Sequence, residues 1–362
     1  MTTAQRVRRA GLATAAALVI GGGGVAIGAA AADSSTPGTT AAAAATATPG
    51  PATSPGPAPA SYAGVVRQVL PSVVLIRTQN GLGSGVVLDR SGNIVTNAHV
   101  AGDATKFQVQ VAGDTAPRSA RLVGSYPPDD LAVIRVGHPA GLQPATFGDS
   151  DTVQAGDVVL AIGNPLGLSG SVTQGIISAT DRTVTEPSTD GSPAATLPGA
   201  IQTSAPINPG NSGGALVTTS GQVVGIPTLA AGSPQGGGQA QGIGFAIPSN
   251  LARDIATQII DTGHVTSSHR AALGAQVATV LGADGATGGV GVVAVTSGGG
   301  AERAGLRPGD VIKAVGGAPT PDATALTQAL AAAEPGDQVS VTISRDGQDR
   351  DVQVTLGELP GS

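Results

Sequence analysis

The chain has 362 residues and a formal net charge of −6, which is only mildly acidic. This balance gives no reason to expect a nucleic-acid partner, because such partners select a basic surface. The sequence contains no cysteine, so it has neither disulfides nor thiolate metal sites. Aromatic residues make up 1% of the chain, and we therefore expect a core of Val, Ile, Leu and Ala.

The N-terminal segment differs in composition from the rest of the chain. Arg6, Arg8 and Arg9 precede an uncharged apolar stretch over residues 10–32, and an Ala/Thr/Pro/Gly-rich stretch follows. Basic residues before an apolar run are typical of an export signal, and this run is long enough to span a bilayer. We assign residues 1–32 to a signal peptide or signal anchor and residues 33–61 to a disordered linker. The remainder is expected to be extracytoplasmic, either secreted or anchored to the cytoplasmic membrane.

Four histidines are the available imidazole bases. His99 follows the strand-like residues Ile94 and Val95 and enters a turn of small residues, where a side chain can be presented at a strand end. His138, His264 and His269 lie in loop-like surroundings and are predicted to be solvated. No two histidines have metal-ligand spacing, so no metal or other cofactor is expected.

Two adjacent carboxylates follow a pair of prolines. Asp130 precedes the apolar residues that begin with Leu131, which places its carboxylate at the mouth of a buried strand. There it could accept a proton from one nitrogen of an imidazole. Asp129 is predicted to be a solvated turn residue after Pro127 and Pro128.

Residues 207–214, INPGNSGG, place Ser212 on a glycine-rich turn between apolar segments. Glycines allow the backbone to turn sharply and to direct several N–H groups at one point beside the hydroxyl. An oxyanion hole requires this geometry, although glycine-flanked serines also occur in ordinary turns. A catalytic serine further needs a base and an acid that orients the base.

Three motifs supply these partners in the order His, Asp, Ser: TNAHV at 96–100, DLAVIRV at 130–136 and GNSGG at 210–214. Together they resemble the HtrA (DegP-like) serine proteases. AIGNPLGL at 161–168, VTQGIIS at 172–178 and GIGFAIPS at 242–249 extend the match, which runs from about residue 62 to 357. The resemblance implies a mostly β fold, with a chymotrypsin-like double six-stranded β-barrel over residues 62–264.

The resemblance also implies residue roles. Ser212 would be the nucleophile, His99 the general base and Asp130 the orienting acid, and the backbone N–H groups of Gly210, Asn211 and Ser212 would form the oxyanion hole.

The S1 pocket would be lined by Ile207, Ala231 and Ile243, without an acidic side chain at its base, and would accept small or medium apolar residues. Ser204 and Pro227 depart from the residues that the family often has, and Pro227 lacks an N–H that a substrate strand could use.

Two further loops are predicted around this site. Residues 182–199 are polar and too long for a simple hairpin turn, and residues 230–241 are glycine-rich and expected to be mobile. In the family the first loop senses peptide at the PDZ domain, and Arg182 matches the regulatory arginine there. A flexible excursion with a solvated Arg182 is the alternative.

Residues 268–358 are predicted to form one small, partly open β-barrel with helices. AERAGLRPGDVI at 301–312 resembles the corresponding turn of PDZ domains, and residues 322–333 are compatible with a helix. Leu273, Gly274 and Ala275 match the loop that binds the terminal carboxylate of a peptide, and PDZ domains bind such peptides by strand addition.

The resemblance as a whole predicts a serine endopeptidase of the bacterial cell envelope. It would degrade misfolded or unfolded polypeptides, be regulated by C-terminal peptides at the PDZ domain, and assemble as a homotrimer. The alternative is a non-catalytic chaperone or peptide-binding scaffold that retains the fold. The presence of His99, Asp130 and Ser212 together favours the protease.

Overall fold

The computed structural model describes residues 61–79, 81–164, 170–186, 195–208, 210–232, 239–281 and 286–361. The assigned signal segment 1–32 and nearly all of the linker lie outside these residues. Ser61 begins the described chain as the N-cap of the first helix, where its hydroxyl accepts from the Gly64 N–H at 3.2 Å. Within the described ranges, no helix is both long and apolar enough to cross a membrane.

The first barrel follows helix α1, and six strands of the described chain close it in the order β1-β2-β3-β6-β5-β4. Successive residues of a strand face opposite sides, and here both sides are buried. Val74 and Ile76 of β1 fill the barrel, whereas Val73 packs into a second cluster shared with the other barrel. The elements are α1 (Tyr62–Val69), β1 (Val73–Arg77), β2 (Leu82–Val87), β3 (Asn93–Thr96), α2 (Ala98–Ala101), β4 (Lys106–Gln110), β5 (Arg118–Tyr126) and β6 (Leu131–Val136).

The second barrel is built in the same way, with six described strands in the order β10-β11-β12-β9-β8-β7. Val159 and Ala161 of β7 face its interior, whereas Leu160 and Ile162 face the core between the barrels. The shared core is mainly aliphatic, as the composition predicts, and it also contains Tyr126 and Phe245. The elements are β7 (Val158–Gly163), β8 (Ser171–Glu186), β9 (Ala195–Thr203), β10 (Ala215–Thr218), β11 (Val223–Gly232), β12 (Gln239–Pro248) and the closing helix α3 (Ser249–Thr262).

The two predicted loops of this barrel are shorter than the sequence suggested. Strand β8 continues to Glu186 and β9 begins at Ala195, so most of the predicted 182–199 loop is an antiparallel ribbon. Likewise, β11 and β12 extend into the 230–241 segment, where Gly232 pairs with Gln239. The prediction of long irregular loops was therefore wrong at both ends of each segment, and their tips, 187–194 and 233–238, lie outside the described residues.

The C-terminal domain is a sheet with strand order β14-β15-β16-β18-β19 and one longer helix, α5. Asp322 caps this helix by accepting from the Ala325 N–H at 2.8 Å. The elements are β13 (Ala271–Ala272), β14 (Ala275–Leu281), β15 (Thr287–Val295), α4 (Gly300–Arg303), β16 (Val311–Val315), β17 (Ala318–Pro319), α5 (Ala323–Leu330), β18 (Gln338–Arg345), β19 (Gln348–Thr355) and β20 (Gly357–Glu358).

Candidate active site

His99 lies where the two barrels meet, in the single helical turn that follows β3. Its Nδ1 is 2.8 Å from Asp130 Oδ2, and its backbone N–H donates to Asp130 Oδ1 at 2.9 Å. The Asp130 carbonyl in turn accepts from the Ala98 N–H at 3.0 Å and from Asn97 Nδ2 at 3.1 Å. The imidazole is about a quarter exposed and the carboxylate is buried. The structure therefore joins the predicted base and acid.

Asp130 is presented by a 3-10 turn, Pro127–Asp129, that precedes β6. Its backbone is left-handed, with φ 50°, which is uncommon for a residue other than glycine. This conformation allows Asp130 to bond Asn97 and Ala98 through its carbonyl and His99 through its side chain. A third donor, the Thr228 hydroxyl, also bonds Asp130 Oδ2. The carboxylate orientation is thus fixed from both barrels.

Ser212 lies on a turn that Ser84 holds from the first barrel. The Ser84 N–H donates to the Ser212 carbonyl at 2.9 Å, and the Ser84 hydroxyl donates to the Gly210 carbonyl at 2.5 Å. The same hydroxyl accepts from the Asn164 N–H at 2.8 Å. Glycine is required next to the serine, since Gly213 has φ 77° and a Cβ there would overlap the Ser84 carbonyl.

Thr228 is a site residue that the sequence analysis missed. While its hydroxyl donates to Asp130, its carbonyl accepts from the Ser212 hydroxyl at 3.1 Å. It therefore contacts both the acid and the serine from β11. A single threonine in an apolar strand carries no motif, and its proximity follows only from how the second barrel closes.

The predicted oxyanion donors differ in availability. The Asn211 N–H donates to the Asn208 carbonyl at 2.9 Å, so it is used inside the turn, and its assignment as a donor is not supported. Within the described chain, the N–H groups of Gly210 and Ser212 donate to no protein acceptor. Gly210 has φ 108°, a conformation that glycine adopts without strain.

The predicted S1 residues are only partly described. Ile207 is buried in the core of the second barrel, and a Cβ at Gly244 would overlap its side chain. Ile243 is partly exposed, and the side chain of Ala231 lies outside the described residues.

Pro227 was expected to remove a bond to substrate. However, its carbonyl accepts from the Gly213 N–H at 2.9 Å, and the next residue, Thr228, is the one whose carbonyl reaches the serine. Both carbonyls therefore contact the Ser212 turn, and the loss of a substrate bond at Pro227 stays a prediction.

Arg182, the predicted regulatory residue, is exposed on β8. Its Nε donates to Gln202 Oε1 at 3.2 Å, which is a contact within its own sheet. A separate contact joins this strand to the PDZ-like domain, because Gln328 Nε2 of α5 donates to Thr185 Oγ1 at 2.9 Å.

Leu273, Gly274 and Ala275, the predicted carboxylate-binding loop, line a cavity of about 600 Å³ that is also lined by residues of β14 and α5. The Leu273 carbonyl accepts from the Ala301 N–H at 2.7 Å, and Gly274 has φ 74°. Pro198 of β9 forms part of the cavity wall, so the second barrel borders this groove.

Asp129 is not the solvated residue that the sequence suggested. It is fully buried, and its Oδ1 accepts from Arg270 Nη1 at 3.0 Å. An isolated turn after two prolines would leave the carboxylate in water, but Arg270 comes from the C-terminal domain and covers it. In contrast, His138, His264 and His269 are exposed, as predicted.

Two barrels that enclose a His–Asp pair and a serine on a glycine turn define a trypsin-like serine endopeptidase, here with a PDZ domain attached. A family model for the trypsin-like peptidase domain matches residues 83–226, and a PDZ domain model matches residues 271–356. Both matches lie inside the predicted domain ranges.

Comparison with known proteins extends this assignment. The chain is 42% identical to serine protease PepD of Mycobacterium tuberculosis, over 83% of this chain and 67% of that protein. It is 37% identical to serine endoprotease DegS of Salmonella typhimurium, over 84% and 88% respectively. Periplasmic pH-dependent serine endoprotease DegQ of Escherichia coli is 35% identical, over 85% and 72%.

Solved structures agree. The HtrA-type protease AlgW with a tripeptide is 38% identical with a TM-score of 0.56, over 83% of this chain and 98% of that one. A serine endoprotease from Yersinia pestis has 37% identity and a TM-score of 0.54, over 83% and 99%. The chain belongs to the HtrA family of serine proteases, and it is a serine-type endopeptidase.

Proposed function

We propose that His99, Asp130 and Ser212 are the catalytic triad of this endopeptidase. The observation that carries the proposal is the buried Asp130 carboxylate, which bonds His99 Nδ1 at 2.8 Å and leaves Nε2 as the proton acceptor. In the first step the Ser212 hydroxyl leaves the Thr228 carbonyl, transfers its proton to His99 Nε2 and attacks the peptide carbonyl. His99 then delivers that proton to the leaving amine, and water hydrolyses the acyl-enzyme.

The N–H groups of Gly210 and Ser212 are the proposed oxyanion donors. Their lack of a protein acceptor among the described residues supports this role, and each such donor is worth roughly 10²- to 10³-fold in rate. Asn211 supports the hole by closing the turn onto Asn208.

Substrate selection is proposed to occur beside Ile207 and Ile243, with Ala231 as the third wall. An apolar lining favours small or medium apolar side chains, since burying an unpaired Lys or Arg would be costly.

The physiological role that we propose is degradation of misfolded or damaged proteins outside the cytoplasmic membrane. The basic and apolar N-terminal composition and the periplasmic relative DegQ support that location. Peptide binding at Leu273, Gly274 and Ala275 is proposed to regulate cleavage, with Arg182 taking part. Pro198 of β9 lines the groove, and α5, which also lines it, contacts Thr185 of β8. The groove that would hold the peptide is therefore in direct contact with the β8–β9 ribbon. Assembly as a homotrimer and the domain limits 62–264 and 268–358 stay predictions.

A fluorophosphonate probe tests the proposed triad, because it reacts with an activated serine. We expect the wild type to be labelled and to cleave an unfolded protein, and Ser212→Ala to do neither while keeping its melting temperature. Ser220→Ala, which removes an exposed hydroxyl from a turn elsewhere in the second barrel, serves as the matched control and should behave as the wild type. Hydrolysis by Ser212→Ala would exclude Ser212 as the nucleophile.

A further inference from the structure

A buried ion pair joins the C-terminal domain to the turn that presents Asp130. Arg270 Nη1 donates to Asp129 Oδ1 at 3.0 Å and to the Pro128 carbonyl at 2.7 Å. The side chains are 10% and 1% exposed, respectively, so water does not compete for these bonds. One guanidinium nitrogen therefore holds two consecutive residues of the turn.

The turn needs such support because of the residue that follows it. Asp130 has a left-handed backbone, and a residue other than glycine keeps that conformation only when its surroundings impose it. Inside the turn, the Asp130 N–H donates to the Pro127 carbonyl at 3.0 Å. Arg270 adds two bonds immediately before Asp130, on residues that would otherwise be a short surface segment.

Hydrogen bonds also hold the backbone of Arg270 in place. Its N–H donates to the Ser268 hydroxyl at 3.2 Å, and its carbonyl accepts from the Leu359 N–H at 2.7 Å. The Ser268 hydroxyl also donates to the Leu359 carbonyl at 2.7 Å. Both chain ends of the PDZ domain therefore hold the backbone from which the guanidinium reaches the protease turn.

We propose that Arg270 is a positioning residue for the hydrolytic reaction, acting through Asp129 to hold Asp130 in the orientation that bonds His99. This inference rests on the proposed function, since it takes Asp130 as the triad acid. Thr228 holds the same carboxylate from the second barrel, so Arg270 makes the alignment depend on the C-terminal domain as well.

The charged and titratable groups around Asp129 are Arg270 and His269 at the start of the C-terminal domain and Tyr126 at the end of β5. Burial raises the pKa of the Asp129 carboxyl to about 6, although Arg270 and His269 act in the opposite direction. The pair is thus charged at neutral pH, and acidification removes the charge from Asp129.

Asp129→Asn is the most direct variant. Asparagine imitates the protonated carboxyl, and residue 129 does not line the peptide groove. At pH 8, without added peptide, we expect kcat to fall about tenfold with KM unchanged, as misplaced catalytic groups lower rate rather than binding. At pH 5 the wild type is itself protonated at Asp129, so the ratio of the two kcat values should approach one.

Arg270→Ala and Arg270→Lys complete the series. The alanine variant should lose at least as much kcat as Asp129→Asn, whereas lysine should recover most of it, since a single nitrogen makes both contacts. Arg345→Ala is the matched control: it removes an Arg–Asp pair within the PDZ domain, with the Arg345 side chain 18% exposed, away from the protease turn. It should leave kcat and the pH profile unchanged.

The outcomes separate the two proposals. Wild-type kcat in both Asp129→Asn and Arg270→Ala, with Ser212→Ala inactive, would overturn the role of Arg270 and leave the triad intact. An equal loss in Arg345→Ala would also overturn it. Full activity in Ser212→Ala would instead overturn the proposed function.

Discussion

The two halves of the active site are held in place by different means. In the first barrel, side-chain hydrogen bonds connect His99, Asp130 and, from across the cleft, Thr228. In the second barrel, backbone conformation positions Ser212, with Gly210 and Gly213 at positive φ and Ser84 bonded to the main chain. Substitutions in the first half should therefore have graded effects that similar side chains restore, whereas added Cβ atoms in the second half should be disruptive.

Gly213→Ala is the strongest test of whether backbone conformation positions Ser212. Its Cβ would overlap the Ser84 carbonyl and the Thr96 hydroxyl, so the turn must move away from the first barrel. We expect hydrolysis of an unfolded protein to fall by about 10³-fold or more, because both proposed oxyanion donors lie on this turn.

Gly242→Ala is the control for Gly213→Ala. Gly242 has a similar φ of 75°, but its added Cβ would meet nothing within 4 Å. It therefore shares the backbone strain without the overlap and should keep most activity. Comparable activity in the two variants would contradict the view that close packing fixes the serine.

Arg270→Ala tests whether the half of the site around His99 and Asp130 depends on the C-terminal domain for its stability. It leaves the buried Asp129 carboxylate without its cation, which should lower the free energy of unfolding by about 3 kcal/mol at pH 8. The folded-state pKa of Asp129 lies above its ordinary 3.8, so the folded protein binds the proton more tightly. The stability that this group contributes is thus present at low pH and lost as pH rises through about 6.

The expected loss in Arg270→Ala is therefore smaller at pH 5 than at pH 8, which denaturant unfolding at the two pH values would measure. Arg345→Ala provides the contrast, because hydrogen bonding from Arg345 lowers the pKa of Asp310. Asp310 is ionised at both pH values, so the cost of Arg345→Ala should be the same at each. A constant cost for both variants would show that Asp129 does not titrate in this range.

Thr228→Val should have the smallest effect of these changes. The substitution keeps the shape and the backbone carbonyl, but removes one of the donors to Asp130. We expect a loss of about tenfold in kcat, equivalent to one hydrogen bond to a charged group, with KM unchanged. Thr228→Ser should restore the rate, and an equal loss in that variant would indicate that the methyl group, not the hydroxyl, matters.

The sequence was most informative where chemistry demands particular neighbours along the chain. The three motifs around His99, Asp130 and Ser212 indicated the candidate site, and the resemblance that they carry predicted the double barrel. Contacts between distant residues were not predictable in this way. Asp129 lies 141 positions before Arg270, and only the packing of the PDZ domain brings them together.

The structure differs from the sequence-based prediction at two other places, again because of contacts between residues that are distant along the chain. Thr228 is 98 positions from Asp130, so nothing in its local sequence indicates the bond. The 182–199 segment looked irregular because it is polar and punctuated by Pro and Gly. Nevertheless, cross-strand backbone bonds, which place no demand on hydrophobicity, pair Val184 with Leu197 and Arg182 with Ala200.

Ser84 has a consequence for the biosynthesis of this enzyme. Its backbone and hydroxyl bond the Ser212 turn from the opposite barrel, which is translated first. A nascent chain that has completed only the first barrel lacks Ser212. A second barrel that has not docked lacks the hydrogen bonds from Ser84 that shape the Ser212 turn. The shape of the Ser212 turn therefore depends on the docking of the second barrel against the first.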